Sequence, residues 1–290
     1  MTASTEQGIC ALAPFGLRSL RLDWTRPYVM GIVNVTPDSF SDGGNYNTVD
    51  AALDHAEQLI EDGADLLDIG GESTRPNATA IGAQEECDRV LPVIEKLAAR
   101  FDTPISVDTT KAIVARCAVS AGAEIVNDVS GGSFDRGMYA AVEEVGAFYI
   151  CGHVRGTTLA EIHNTAPATV SEISEELQTR LDLMPVSLRQ RCMVDPCIGF
   201  GKSLGTNVAL LAGAGTLSTR LKAPVLIGAS RKRFLGEITD AQVDDRDGAT
   251  VGASLAAVAS GANMLRVHNV SLLASALAVF QRARGEVLSQ

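Results

Sequence analysis

Short apolar runs rich in β-branched and aromatic residues recur along the chain. Each is followed by a stretch whose apolar positions repeat at helical spacing. The strand candidates are 28–34, 64–70, 104–108, 123–128, 147–153, 191–196, 224–228 and 262–268. The helix candidates that follow them are about 48–62, 83–100, 110–121, 136–145, 169–184, 206–218, 247–260 and 270–283. The strand runs are apolar throughout, not alternating, which implies cover on both faces. Strict β–α alternation implies a parallel sheet with right-handed crossovers. Eight such units in about 250 residues predict an α/β fold, a closed (β/α)8 TIM barrel. An open doubly wound sheet would more often carry a Gly-rich phosphate turn after its first strand, and none follows 28–34.

Several helix–strand junctions carry a Gly-Ala pair, at 63–64, 122–123, 146–147 and 261–262. Glycine there supplies a left-handed cap, and the small residue lets the next strand begin close by. Residues 1–27 form an N-terminal extension in which Leu17, Leu20, Leu22 and Trp24 could make a small hairpin under the barrel. The barrel is expected over 28–285, with a short tail at 286–290.

Composition narrows the function. The chain has 290 residues, is 46% hydrophobic, and carries a net charge of −11 with a sequence pI near 4.8. No basic stripe interrupts that acidity, so neither nucleic acid nor an anionic membrane is an expected partner. An anionic substrate would need a local cluster of cations. Cys10, Cys87, Cys117, Cys151, Cys192 and Cys197 contain no CxxC and no metal-like spacing, and read as small core residues in a reducing compartment. No secretory pattern opens the chain, and no apolar run reaches the roughly 18 residues of a membrane helix. A cytoplasmic protein is the expectation.

The active site of such a barrel lies at the C-terminal strand ends. Chemistry-bearing residues fall there on every strand: Asn34; then Asp68, Glu72, Ser73, Thr74 and Arg75; Asp108; Asn127 and Asp128; His153 and Arg155; Asp195; Ser230, Arg231, Lys232 and Arg233; and Arg266 and His268. Any one of them has a plain structural reading, as a helix cap or a solvated charge. A whole rim of them does not. The cations concentrate late, at Lys232, Arg266 and His268, with Arg75 entering from the second loop. The loops after strands seven and eight are the usual phosphate corner of these barrels, so a phosphate or diphosphate is expected. Asn34 could lend an amide oxygen to Mg²⁺, which takes few protein ligands beside substrate phosphates. Asp108 and Asp195, with Asn127, show no obvious basic partner and suit a ring edge rich in N–H donors, such as a pterin or a guanine. A carboxylate pair for glycoside hydrolysis is the competing reading. The strand-seven and strand-eight cations, and a single Trp outside the barrel, weigh against it.

Seven segments, MGIVNVTPDSFSDGG, DIGGESTRP, SVDTTK, VNDVSGG, DPCIGFGK, ASRKRFLG and LRVH, resemble dihydropteroate synthases in order and spacing from about Pro27 to His268. The resemblance implies condensation of 6-hydroxymethyl-7,8-dihydropterin diphosphate with p-aminobenzoate, giving 7,8-dihydropteroate and diphosphate in folate biosynthesis. It further implies Mg²⁺ dependence, a homodimer and membership of a family that sulfonamides target. Carried over residue by residue, Asn34 would ligate Mg²⁺. Asp108, Asn127, Asp195 and Lys232 would hold the pterin, and Arg266 and His268 the diphosphate. Thr74, Arg75 and Pro76 would reach the substrates from loop two, with Phe200 and Ser230 lining the p-aminobenzoate site.

Three places depart from the family pattern. Cys197 stands where Gly is typical, Gly152 stands where a Met precedes the His, and Thr157–Thr169 lacks the usual Pro- and Met-bearing sequence. Gly152 removes side-chain volume and Cys197 adds a small side chain beside Asp195, so the pterin pocket is either loosened or repacked. A folate–corrinoid methyl-transfer barrel would share the pterin contacts but has no need of the diphosphate clamp. A non-catalytic pterin binder would keep the pocket and lose the loops.

The loop at 34–44 is polar, acidic and Gly-containing. A cationic intermediate in water would be hydrolysed, so 34–44 and 71–77 read as lids that close once diphosphate is bound, with Asp38 and Arg75 engaging across the site. Asp38→Ala should weaken p-aminobenzoate binding, measured by calorimetry with diphosphate and Mg²⁺ present. Unchanged affinity and rate would remove the support for this lid.

Overall fold

The computed structural model describes residues 12–36, 45–74, 78–163 and 165–285. Two strands of a small antiparallel hairpin come first, β1 (Phe15–Gly16) and β2 (Arg21–Leu22). The barrel strands are β3 (Tyr28–Asn34), β4 (Leu66–Gly70), β5 (Ile105–Asp108), β6 (Ile125–Asp128), β7 (Phe148–Gly152), β8 (Cys192–Asp195), β9 (Leu226–Ile227) and β10 (Met264–Val267). All neighbours in the order β8-β7-β6-β5-β4-β3-β10-β9 pair in parallel. A parallel bridge from Val194 to Val225, with Val194 N–H donating to Pro224 C=O at 2.9 Å, joins the last strand to the first and closes the barrel. The fold is the predicted (β/α)8 TIM barrel.

The helices that cover it are α1 (Asn45–Glu61), α2 (Ala83–Arg100), α3 (Ala112–Ser120), α4 (Met138–Val145), α5 (Val170–Leu183), α6 (Val186–Arg189), α7 (Leu204–Ala212), α8 (Ala214–Leu221), α9 (Arg233–Thr239), α10 (Asp247–Ala259) and α11 (Val270–Ala283). Among the described residues none is long and apolar enough to cross a membrane. The helix predicted at 206–218 is two. It breaks at Gly213, and just beyond, Gly215 N–H donates to Ser260 C=O at 2.6 Å. A side chain on Gly215 would collide with that carbonyl. The break therefore comes from packing against the end of α10, which local periodicity does not reveal. The junction glycines 63, 122, 146 and 261 all have positive φ, as the capping reading requires.

Period-two alternation sorts the strand residues into two cores. Val33, Ile69, Val107, Val126, Tyr149, Val194, Ile227 and Leu265 face outward into a layer shared with the helices. Tyr28, Met30, Leu66, Ile125, Ile150, Met193, Leu226 and Met264 form a separate apolar layer inside the barrel, near the strand beginnings. The hairpin seals that end. Phe15 stacks on Phe148 at 4.3 Å, and Trp24 meets Phe15 and Tyr28 edge-on at 5.4 and 5.8 Å. Leu17, Leu20, Leu22 and Trp24 all join this layer, as their spacing suggested. Water is thus excluded from below, and polar interior residues can be presented only at the strand ends. Leu22 is 1% exposed. Leu22→Ala should lower stability by about 2–5 kcal/mol through lost burial and a residual cavity, read from the urea midpoint.

Candidate active site

Two residues further along each strand, the interior turns polar. Arg266 follows Met264 on β10, Asp68 follows Leu66 on β4, Asn127 follows Ile125 on β6, and Asp195 follows Met193 on β8. These side chains interlock. Arg266 donates from Nε to Asp68 Oδ2 at 2.5 Å and from Nη2 to Asp108 Oδ2 at 2.8 Å. Asn127 Nδ2 donates to the same Asp68 oxygen at 3.0 Å. Asp68 is fully buried, and its Oδ1 is one of the few buried side-chain oxygens with no hydrogen-bond partner among the described residues. Asp68 therefore orients both Arg266 and Asn127. The sequence placed Asp68 on the rim without a role. Its position at the centre of strand β4, two residues after Leu66, was the available signal.

The reading of Asp108 as a carboxylate without a basic partner is corrected by this geometry, because Arg266 is its partner. Burial still dominates its titration. It lifts the Asp108 carboxyl to about 7, against the pull of Arg266 and with the negative charge of Asp68 adding to the rise. Asn34 and Asp108 flank Gly70 from the strands on either side of β4. A methyl group placed on Gly70 would sit 3.8 Å from Asn34 Oδ1 and 3.9 Å from Asp108 Oδ2. Asp195 is likewise raised by burial, offset by the Cys197 N–H that donates to its Oδ1 at 2.7 Å and by Lys232.

Lys232 faces this carboxylate set from the loop after β9. Burial lowers its ammonium to about 8, with Arg266 contributing to the fall. Its Nζ lies 3.5 Å from the centre of the Phe200 ring, a cation–π contact that partly replaces lost hydration. Ser230 and His268 are joined by a 2.9 Å hydrogen bond between Oγ and Nδ1. Behind them Asp247 accepts from Arg231 at 2.8 and 2.9 Å and from Asn269 at 3.0 Å, tying the strand-seven and strand-eight loops together. Arg231 thus serves the scaffold rather than the rim.

Loop two reaches the same mouth. The Thr74 carbonyl is bonded by His163 Nε2 at 3.0 Å, and the His163 ring lies 5.5 Å from that of Phe200. Asn34, Thr74, Asp108, Asn127, Asp195, Phe200, Ser230, Lys232, Arg266 and His268 all stand at the C-terminal strand ends. Asp38, Arg75 and Pro76 lie outside the described residues.

Other rim candidates have structural partners. Asp128 accepts from Ser130, Gly132 and the Tyr149 hydroxyl. His153 and Arg155 meet Glu176 of α5 at 2.9 and 2.5 Å. Glu72 pairs with Lys111 at 2.7 Å. Of the two outcomes open for Gly152 and Cys197, their surroundings favour repacking. A Cβ on Gly152 would fall 2.4 Å from the Val129 carbonyl oxygen, so position 152 faces backbone rather than pocket. Cys197 adopts φ 49 and is buried, with the His153 N–H 3.3 Å from its sulfur. It fills space between the loops after β6, β7 and β8.

A carboxylate-rich floor, one shared arginine and a cationic corner at strands seven and eight match a ligand with an N–H-rich ring and an anionic tail. The sequence description "pterin binding enzyme" matches residues 30–268. The chain belongs to the dihydropteroate synthase family of pterin binding enzymes. Dihydropteroate synthase from Synechocystis sp. is 40% identical over 90% of this chain and 92% of its own. The solved structure of Xanthomonas albilineans dihydropteroate synthase with 4-aminobenzoic acid is 46% identical, covers 92% of this chain and 96% of its own, and superposes with a TM-score of 0.84. The mitochondrial folate synthesis bifunctional protein of Pisum sativum is 43% identical over 91% of this chain. The chain spans about half the length of that bifunctional relative, 55% of it. In this synthase-family barrel, Asp68→Asn should lower stability by about 3–5 kcal/mol in urea unfolding, because it removes one of the two carboxylates that compensate the buried Arg266 charge. The Asp108 carboxyl should then titrate below about 7 by NMR, since one negative neighbour is gone.

Proposed function

We propose that this chain joins p-aminobenzoate to 6-hydroxymethyl-7,8-dihydropterin diphosphate, releasing diphosphate and forming 7,8-dihydropteroate for folate synthesis. The observation that carries this reading is the Arg266 fork to Asp68 and Asp108, lying between Asn127 and the Lys232, Ser230 and His268 corner. Asp108, Asn127, Asp195 and Lys232 hold the pterin. The carboxylates accept from its amino and ring N–H groups, and Lys232 donates to its carbonyl oxygen. The described residues take two of the five N–H donors of Arg266, which leaves donors for a phosphate oxygen. His268 lies two residues further along the same strand direction and supports the same anion. Phe200, Ser230 and the Thr74 loop line the p-aminobenzoate side, with Arg75 and Pro76 next to Thr74 in sequence.

The chemistry follows from charge. As the C–O bond breaks, positive charge grows on the methylene carbon and negative charge on diphosphate. Asp108 and Asp195 lie toward the first, Arg266 and His268 toward the second, and fixed charges of this kind are a large catalytic contribution. The aryl amine is already neutral near pH 7, so its attack needs no strong base. The electron pair of the broken C–O bond leaves with diphosphate, and once the C–N bond has formed the nitrogen gives its extra proton to solvent. Mg²⁺ takes few protein ligands beside substrate phosphates, and the amide oxygen at the end of β3 suits it. Asn34 Oδ1 would hold it, and it would neutralise the departing diphosphate. A homodimer in the cytoplasm completes the proposal. The five described cysteines, all free thiols, support a reducing compartment.

Incorporation of labelled p-aminobenzoate, with and without Mg²⁺, tests the reaction. No incorporation with Mg²⁺ present would reject it. The pH profile of kcat/KM for the pterin substrate tests the residues, since it reports free-enzyme groups. Below about 7 Asp108 gains a proton and no longer accepts from the ring edge, so the rate falls. Above about 8 Lys232 loses its charge, so the rate falls again. A narrow bell between these limits is expected. Lys232→Arg should carry the alkaline limb upward, because a guanidinium stays charged there.

A further inference from the structure

The segment 157–169 is where this chain departs from the family pattern, and it carries His163. Its placement starts with packing. Ile162 is fully buried and joins Val129, Val154 and Cys197 in a small satellite core, with Leu159 and Phe200 against it. The backbone beside it is seated on Gly201, where an added Cβ would fall 2.6 Å from Thr165 Oγ1 and 2.7 Å from the Ile162 carbonyl oxygen. With Ile162 turned into that core, His163 is turned toward loop two. Its Nε2 lies 3.0 Å from the Thr74 carbonyl oxygen, and its ring lies 5.5 Å from Phe200 at a tilt of 35°. A carbonyl only accepts, so His163 carries its proton on Nε2. Two residues before Thr74, Glu72 is already held by Lys111 and by the Ile81 N–H. His163 therefore supplies a further tie, at the point where loop two reaches the mouth.

We propose that His163 is a positioning residue for the p-aminobenzoate side of the site, holding the Thr74 backbone and the Phe200 ring in one arrangement. This rests on the proposed function, in which Thr74 and Phe200 line that side. Among the described residues the hydrogen bond and ring contact of His163 go to Thr74 and Phe200 and not to the Asp68, Asp108, Asn127 and Arg266 set, so its effect should be confined to one substrate.

The test compares His163→Ala and His163→Gln in the full chain. The alanine variant should raise KM for p-aminobenzoate by about tenfold, the scale of one hydrogen bond and a ring contact. KM for the pterin diphosphate should stay within about twofold. Glutamine can return an N–H to the Thr74 carbonyl and should recover most of the loss. An unchanged p-aminobenzoate KM in the alanine variant, or an equal rise for both substrates, would overturn the proposal. If the wild-type chain proves unable to incorporate p-aminobenzoate, the proposed function fails and hydrogen exchange decides the tie by itself. Faster exchange of a peptide spanning Thr74 in ligand-free His163→Ala supports the tie, and unchanged exchange overturns it.

Discussion

The polar floor of this barrel is organised by one buried charge arrangement. Arg266 reaches across the interior from β10 and is shared between Asp68 of β4 and Asp108 of β5. Burial pushes Asp108 toward the neutral form and disfavours the guanidinium charge. Burial does act against the Arg266 charge, yet Asp68 and Asp108 together outweigh it, and its pKa rises. The carboxylates also repel each other, and Asp108 stays raised to about 7. The arrangement is therefore held together by mutual compensation. Any ligand that takes donors or acceptors from one member changes the titration of the others. A site with that property is suited to a substrate that is cationic-leaning at its ring and anionic at its tail.

The barrel makes this arrangement possible by dividing its interior into layers. Eight apolar barrel side chains and the hairpin close the lower end. The polar layer lies directly above, so its charges are screened little from below and are open to substrate from above. Alternation on each strand sends the intervening residues outward to the helices. Shifting one strand's pairing register by one residue would exchange a site residue with a core residue. That is why pairings such as Gly152 with Asp195, and Asp108 with Asn127, bear on chemistry as well as on stability. The loops above are fixed by smaller devices: the Glu72–Lys111 ion pair, the Arg231–Asp247 pair, and the His163 contact to Thr74.

Much of this was legible in the residue order. Apolar runs and helical stretches mark eight strands and their helices, because burial on two faces and amphipathic spacing are local properties. The ends of strands β3 to β8 fall within three residues of their predicted limits, and the Gly-Ala junctions mark helix ends by the backbone freedom of glycine. The rim residues Asn34, Asp108, Asn127, Asp195, Lys232, Arg266 and His268 follow from a single rule about strand ends. Local pattern fails where contacts are distant. The break between α7 and α8 depends on Ser260, about 45 residues away in sequence, and no property of residues 206–218 announces it.

The chain's sequence by itself determined the barrel, the end of it that carries chemistry, and the residue types presented there, since each follows from periodicity and from neighbours a few positions away. Only the tertiary structure decided who partners whom. Asp68 is 198 residues from Arg266, and Asp108 is 158, so their pairing is a consequence of barrel closure. The same holds for Gly152, whose missing side chain would have met Val129 backbone, and for Cys197, whose sulfur fills a space between three loops. Burial, charge compensation and steric room are properties of the surroundings, and the surroundings exist only after the chain has closed on itself.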